Sequence, residues 1–92
     1  MQGEVVRRRV ILTGRVQGVF FRASVQERAN HESVAGWAAN RPDGRVEVVL
    51  EGPAAAVESV LGYCRTGPAG ARVDSAEVTE EEPEGLSGFQ TR

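Results

Sequence analysis

Two stretches of roughly four-residue periodicity, each set between stretches that alternate every two residues, constrain this chain most, because one backbone cannot satisfy both repeats. Phe21, Val25 and Ala29 recur every four residues and predict a helix from about Phe21 to Glu32 with those three side chains as its buried stripe. Val57, Val60, Leu61 and Cys64 stand at i, i+3, i+4 and i+7, which predicts a second helix from after Gly52-Pro53 to about Arg65. The β-branched run from Val5 to Thr13 reads as a strand, with Val10 and Leu12 toward a core and Arg9 and Ile11 away from it. Val34 to Asn40 reads as a second strand. Arg41-Pro42-Asp43-Gly44 is a turn, since proline presets one turn dihedral and glycine permits a positive φ. Arg45 to Glu51 then alternates, with Val46, Val48 and Leu50 on one face and Glu47 and Glu51 on the other, completing a hairpin. A fourth strand, about Ala71 to Thr79, carries Val73, Ala76 and Val78 at a spacing that suits a bulge. An acidic turn from Glu80 to Gly85 leads to Ser87 to Thr91, where Phe89 either centres a short edge strand or docks on the core.

The order β-α-β-β-α-β is the split βαβ plan of an α+β, ferredoxin-like sandwich: an antiparallel sheet with two helices on one face, here with room for a short fifth strand. With 92 residues in all, residues 1–92 are expected to form a single domain with no separate cofactor-binding unit, and no cofactor is expected. The start, Met1-Gln2-Gly3-Glu4, is polar and runs into Arg7-Arg8-Arg9 without an apolar stretch long enough for a signal peptide or a membrane span. Cys64, as the only cysteine, cannot form an internal disulfide, so a reducing, cytoplasmic setting is expected. His31 and Cys64 lack ligand-like spacing, and no metal site is expected. All eleven basic residues are arginine. The net charge is −2, yet arginines gather early in the chain and glutamates late, so a local anion site survives the acidic average.

The run Gly14-Arg15-Val16-Gln17-Gly18-Val19-Phe20-Phe21-Arg22 lies between a strand end and a helix start. Consecutive amides in such a turn can converge on one anion, and the helix N-terminus adds about half a positive charge. Arg22, in the first turn, supplies a planar cation suited to two phosphate oxygens. From the residues alone, the loop also suits an ordinary connection in which Arg22 merely solvates a helix end. It is neither a Walker motif, which ends in Gly-Lys-Ser/Thr, nor a dinucleotide fingerprint, whose glycines are spaced differently.

The segment from Gly14 to Arg22 resembles the first signature of the acylphosphatase family. Gly36-Trp37-Ala38-Ala39-Asn40 with Asp43-Gly44-Arg45-Val46-Glu47 resembles the second, and Gly67-Pro68 with Ala71, Val73 and Val78 is similar to that family's fourth-strand pattern. This resemblance implies hydrolysis of the carboxyl-phosphate bond of small-molecule acyl phosphates, without metal or cofactor, by a ferredoxin-like fold. It implies that the backbone amides of Arg15, Val16, Gln17, Gly18, Val19 and Phe20 hold the phosphoryl group with the Arg22 guanidinium. Asn40 would position the attacking water, the substrate's own phosphate oxygen would accept its proton, and inorganic phosphate or sulfate would bind as a product-like ligand. Ala38 and Ala39 depart from the pattern, where a larger aliphatic residue and often an arginine are usual. Glu32 and Ser33 stand where leucine and glycine are common, which weakens packing and the left-handed cap expected there.

His31, in the late turn of the helix, is expected to be a surface residue at the favourable end of the dipole, and Cys64 a core thiol. Trp37 suits either core or sheet-face packing, and Phe20 is expected to pack beside the cradle without touching substrate. Arg7 to Arg9 are expected to form a charged strand edge, and the acidic run a solvated turn. Two other functions fit the fold: a non-catalytic anion-binding module within an assembly, and a nucleic-acid binder. The second is disfavoured because Phe20 and Phe21 fall at a loop and a helix start and not on central strands. No nucleic acid or membrane partner is expected, and nothing demands more than a monomer.

Overall fold

The structure, a computed structural model, describes residues 4–92; Met1 to Gly3, with their polar start, lie outside the described residues. Seven elements follow in order: β1 (Val5–Arg15), α1 (Phe21–His31), β2 (Ala35–Asn40), β3 (Val46–Pro53), α2 (Ala54–Cys64), β4 (Arg72–Glu81) and β5 (Phe89–Thr91). The strands form one sheet in the order β4-β1-β3-β2-β5. Four of them pair antiparallel, as expected. β5 pairs parallel to β2, Gly36 with Phe89 through Ala38 with Thr91, so the sheet is mixed. A chain that leaves β4 at one edge and crosses to the other arrives running with β2 and not against it.

Alternation sets the faces. Val10, Leu12, Ala38, Val46, Val48 and Leu50 point to one side and are fully buried with Phe21, Val25 and Ala29 of α1 and Val57, Val60, Leu61 and Cys64 of α2. Burying each large apolar side chain contributes about 1.5–3 kcal/mol. Burial pushes the Cys64 thiol up to about 12, so it stays protonated and inert, as the core reading required. The register between β1 and β4 shifts at Thr13/Gly14, leaving Asp74 as the extra residue between Val73 and Ser75: the bulge that the spacing suited.

Gly36 sits at φ +142, and a Cβ there would overlap the carbonyl oxygen of Val49 on the next strand, so β2 and β3 approach only because this residue has no side chain. At the end of α1 the Ser33 amide donates to the Asn30 carbonyl and the Val34 amide to the Ala29 carbonyl, the pairing of a Schellman cap. Ser33 holds the left-handed position at φ +57 although it is not glycine. Glu32, which departs from the expected leucine, instead accepts from the Ser59 hydroxyl and the Arg28 guanidinium, tying α1 to α2.

The opposite face of the sheet carries charge, and here two expectations are corrected. Arg7 to Arg9 do not lie on an edge: β1 is an interior strand between β4 and β3. Nor is the acidic run simply a solvated turn, since Glu80 and Glu81 belong to β4. Register places Arg7 beside Glu51 and Glu81, and the Arg7 guanidinium contacts both carboxylates while only 4% exposed. Arg9 pairs with Glu81 and Glu47, and Arg41 with Glu47. Trp37 lies on this face, with the guanidinium carbons of Arg9 and Arg92 at 5.6 and 4.4 Å from its ring centroid. Paired with Arg9 and Trp37 on either side, Val49 is fully buried beneath them.

Candidate active site

β1 ends at Arg15, which pairs with Arg72. Val16 then turns into the core, 1% exposed, and anchors the loop that follows. Gly18 has φ +74 and Phe20 φ +60, whereas Gln17 and Val19 have no positive φ. Left-handed residues at alternate positions along 17–20 suit an amide nest, in which successive N–H groups converge on one concavity. Among the described residues, no turn, loop or side-chain hydrogen bond uses the amides of residues 16–20 as donors. Phe20 is also the N-cap of α1, with no side-chain cap bond and no acidic residue in the first turn, so the helix start keeps its positive field.

The Gln17 side chain fixes this loop to the β2–β3 hairpin: its Nε2 donates to the carbonyls of Arg41 at 2.8 Å and Arg45 at 2.9 Å. Asp43 closes the hairpin turn, accepting from the Arg45 side chain and amide and from Arg41, and its carboxyl is held well below the usual range by those bonds, Arg45 first. Asn40, the last residue of β2, is opposite Val46 and on the same face as Ala38, which directs its exposed carboxamide toward the helix side of the sheet.

These parts meet around one cavity of about 420 Å³, lined by Val16, Gly18, Phe20, Phe21, Arg22, Ala23, Asn40 and Thr91. Arg22 and Asn40 thus face the same space, with Val16, Gly18 and Phe20 of the loop. Arg15, Gln17 and Val19 do not line it; Arg15 closes β1, Gln17 is the tether, and Val19 packs against the core. Ala38 and Ala39, the departures from the family pattern, are on β2 and do not line the cavity. Sequence reasoning missed Thr91 and the Arg92 main-chain oxygen, which accepts a 2.6 Å bond from Nη1 of Arg22. Only the pairing of β5 with β2 brings them there, and no local pattern announces it. Among the described residues no cluster of three or more His, Cys, Asp or Glu side chains could hold a metal ion. Among the described residues no helix is long and apolar enough to cross a membrane.

A concavity of spare amides, a helix N-terminus and one guanidinium beside a neutral carboxamide can hold a multiply charged oxyanion and orient a water against it. Comparison with known proteins points the same way. The acylphosphatase family model matches residues 8–91. The chain is 47% identical over 87 residues to an acylphosphatase of Natronomonas pharaonis, covering 95% of both chains. It is 52% identical over 85 residues to one of Gloeobacter violaceus, covering 92% of this chain and 91% of that one. The crystal structure of acylphosphatase from Bacillus subtilis superposes with a TM-score of 0.91 at 41% identity, over 95% of this chain and 98% of that one. With the family signature running from β1 to β5 and whole-length relatives on either side of half identity, this chain belongs to the acylphosphatase family.

Proposed function

We propose that the amides of the loop from Arg15 to Phe20 and the Arg22 guanidinium hold the phosphoryl group of an acyl phosphate while the Asn40 carboxamide orients the attacking water. The overall reaction is that of the family: hydrolysis of the carboxyl-phosphate bond to a carboxylate and inorganic phosphate. Water oxygen bonds to phosphorus, the phosphorus-oxygen bond to the acyl group breaks, and its electron pair leaves on the carboxylate. An amide side chain is too weak a base to take the water's proton, so a phosphoryl oxygen receives it. A carboxylate is a stable leaving group, and phosphoryl transfer asks mainly for positioning and charge stabilisation. One cavity shared by Arg22, Asn40 and an amide nest with spare donors is the observation that carries this reading.

Inorganic phosphate and sulfate fit the same cradle as product-like ligands. We take residues 1–92 as one domain acting as a monomer in the cytoplasm, a setting supported by the lone, buried thiol of Cys64. The test is hydrolysis of benzoyl phosphate with EDTA present, comparing wild type, Arg22→Ala and Asn40→Ala. Wild-type turnover should be insensitive to the chelator. Arg22→Ala should lose about 100- to 1000-fold in rate, by analogy with the removal of an oxyanion-hole donor. Asn40→Ala should lower kcat more than it weakens inhibition by phosphate. Variants that retain wild-type kcat/KM would refute these roles.

A further inference from the structure

The three phenylalanines have unequal surroundings: Phe21 and Phe89 are buried, whereas Phe20 is 85% exposed. Phe20 therefore does not pack beside the cradle as the sequence suggested. Its ring stands free in solvent, and its backbone takes the left-handed conformation that a glycine would occupy at lower cost. The nest requires that conformation but requires nothing of the side chain, so a large apolar ring left in water is a cost the cradle does not explain.

Phe20 is nevertheless one of the residues that line the cavity. Of the apolar side chains lining it, Val16 and Phe21 are turned into the core at 1% and 2% exposure, and Ala23 offers a single methyl group. Phe20 is the only large apolar side chain of the lining that is free to meet a ligand. An acyl phosphate held by its phosphoryl end in the nest must extend its acyl group outward from the loop, and Phe20 is the last residue of that loop before α1 begins.

We infer that the exposed Phe20 ring is the platform on which the acyl group rests, so that this enzyme favours acyl phosphates carrying a flat aromatic or extended apolar acyl group over the smallest ones. The inference rests on the phosphoryl end lying where the proposed function puts it. Offset or edge-to-face contact between ring and acyl group supplies the selectivity; the charged end is shared by every substrate and supplies none.

The test is the ratio of kcat/KM for benzoyl phosphate to that for acetyl phosphate, because any disturbance of the common phosphate cradle scales both numbers and cancels. In Phe20→Ala and Phe20→Leu the ratio should fall about three- to tenfold from wild type. Phe20→Tyr, which keeps the aromatic face, should restore it. A ratio within twofold of wild type in both Phe20→Ala and Phe20→Leu overturns the platform. A wild type that hydrolyses neither substrate overturns the phosphoryl reading and this inference with it, whereas an active wild type with an invariant ratio overturns this inference alone.

Discussion

Glu51 concentrates more of the fold's polar contacts than any other side chain on the charged face, and replacing it with glutamine gives a sharp test. Its Oε1 accepts from the Glu84 amide at 2.8 Å and faces Nη1 of Arg7 at 3.4 Å, while Oε2 accepts from the amides of Gly85 at 2.8 Å and Leu86 at 2.7 Å. Glu51 and Arg7 are each only 4% exposed. In Glu51→Gln one oxygen becomes an NH2 group, so either the Gly85 and Leu86 amides or the Glu84 amide and Arg7 confront a donor, and Arg7 loses a buried counter-charge. Arg7 keeps its bond to Glu81, so the cost is that of the two buried donors left facing a donor, about 1–3 kcal/mol each, a large share of the roughly 5–15 kcal/mol that stabilises a domain. Urea unfolding followed by Trp37 fluorescence should show that loss, and thermal melting should shift down by at least about 8 °C. A loss below about 1 kcal/mol would refute the claim that this carboxylate holds the 84–86 segment in place.

The pH dependence supplies a second arm to the same test. Burial opposes ionisation of Glu51, but the amides of Glu84 and Leu86, then Arg7 and the Gly85 amide, outweigh it and hold the carboxyl below its ordinary value of 4.5. A folded-state value below the unfolded one means that the contribution is fully present above about pH 4.5 and is lost as pH falls through the folded value. Wild-type stability should therefore fall with acid over that window, and Glu51→Gln should fall less steeply there.

Ser33→Gly should stabilise the protein by about 0.5–1 kcal/mol, read from urea midpoints, because the Schellman cap already holds this position left-handed against the strain of a Cβ. Gly36→Ala should destabilise by about 2–4 kcal/mol, since the added methyl meets the Val49 carbonyl oxygen and φ is +142. Gln17→Ala removes two bonds to the hairpin and should cost about 1–2 kcal/mol. It should also weaken inhibition by inorganic phosphate, which would remain at the wild-type level if the tether did not position the cradle.

Local spacing was enough to place both helices, the first four strands and the faces of the central strands, but it left open whether Phe89 begins a fifth strand. The i, i+4 recurrence of Phe21, Val25 and Ala29 and the alternation of Val46, Val48 and Leu50 are properties of the backbone repeat and hold whatever the neighbours are. The strand-to-helix position of the loop was legible for the same reason, whereas its glycines suited an ordinary connection as well as a backbone that gathers amides. Strand neighbours were not legible, since ladder hydrogen bonds join backbones and carry no residue identity. Only tertiary pairing decided that β1 is interior, so that Arg7 is buried against Glu51 and Glu81 and is not an edge guard. The same pairing brought β5 alongside β2, setting Thr91 in the cavity and the Arg92 main-chain oxygen against Arg22. Whether the Phe20 ring faced core or water was likewise decided by the turn geometry of the assembled loop, because at a left-handed position no repeat dictates where a side chain points.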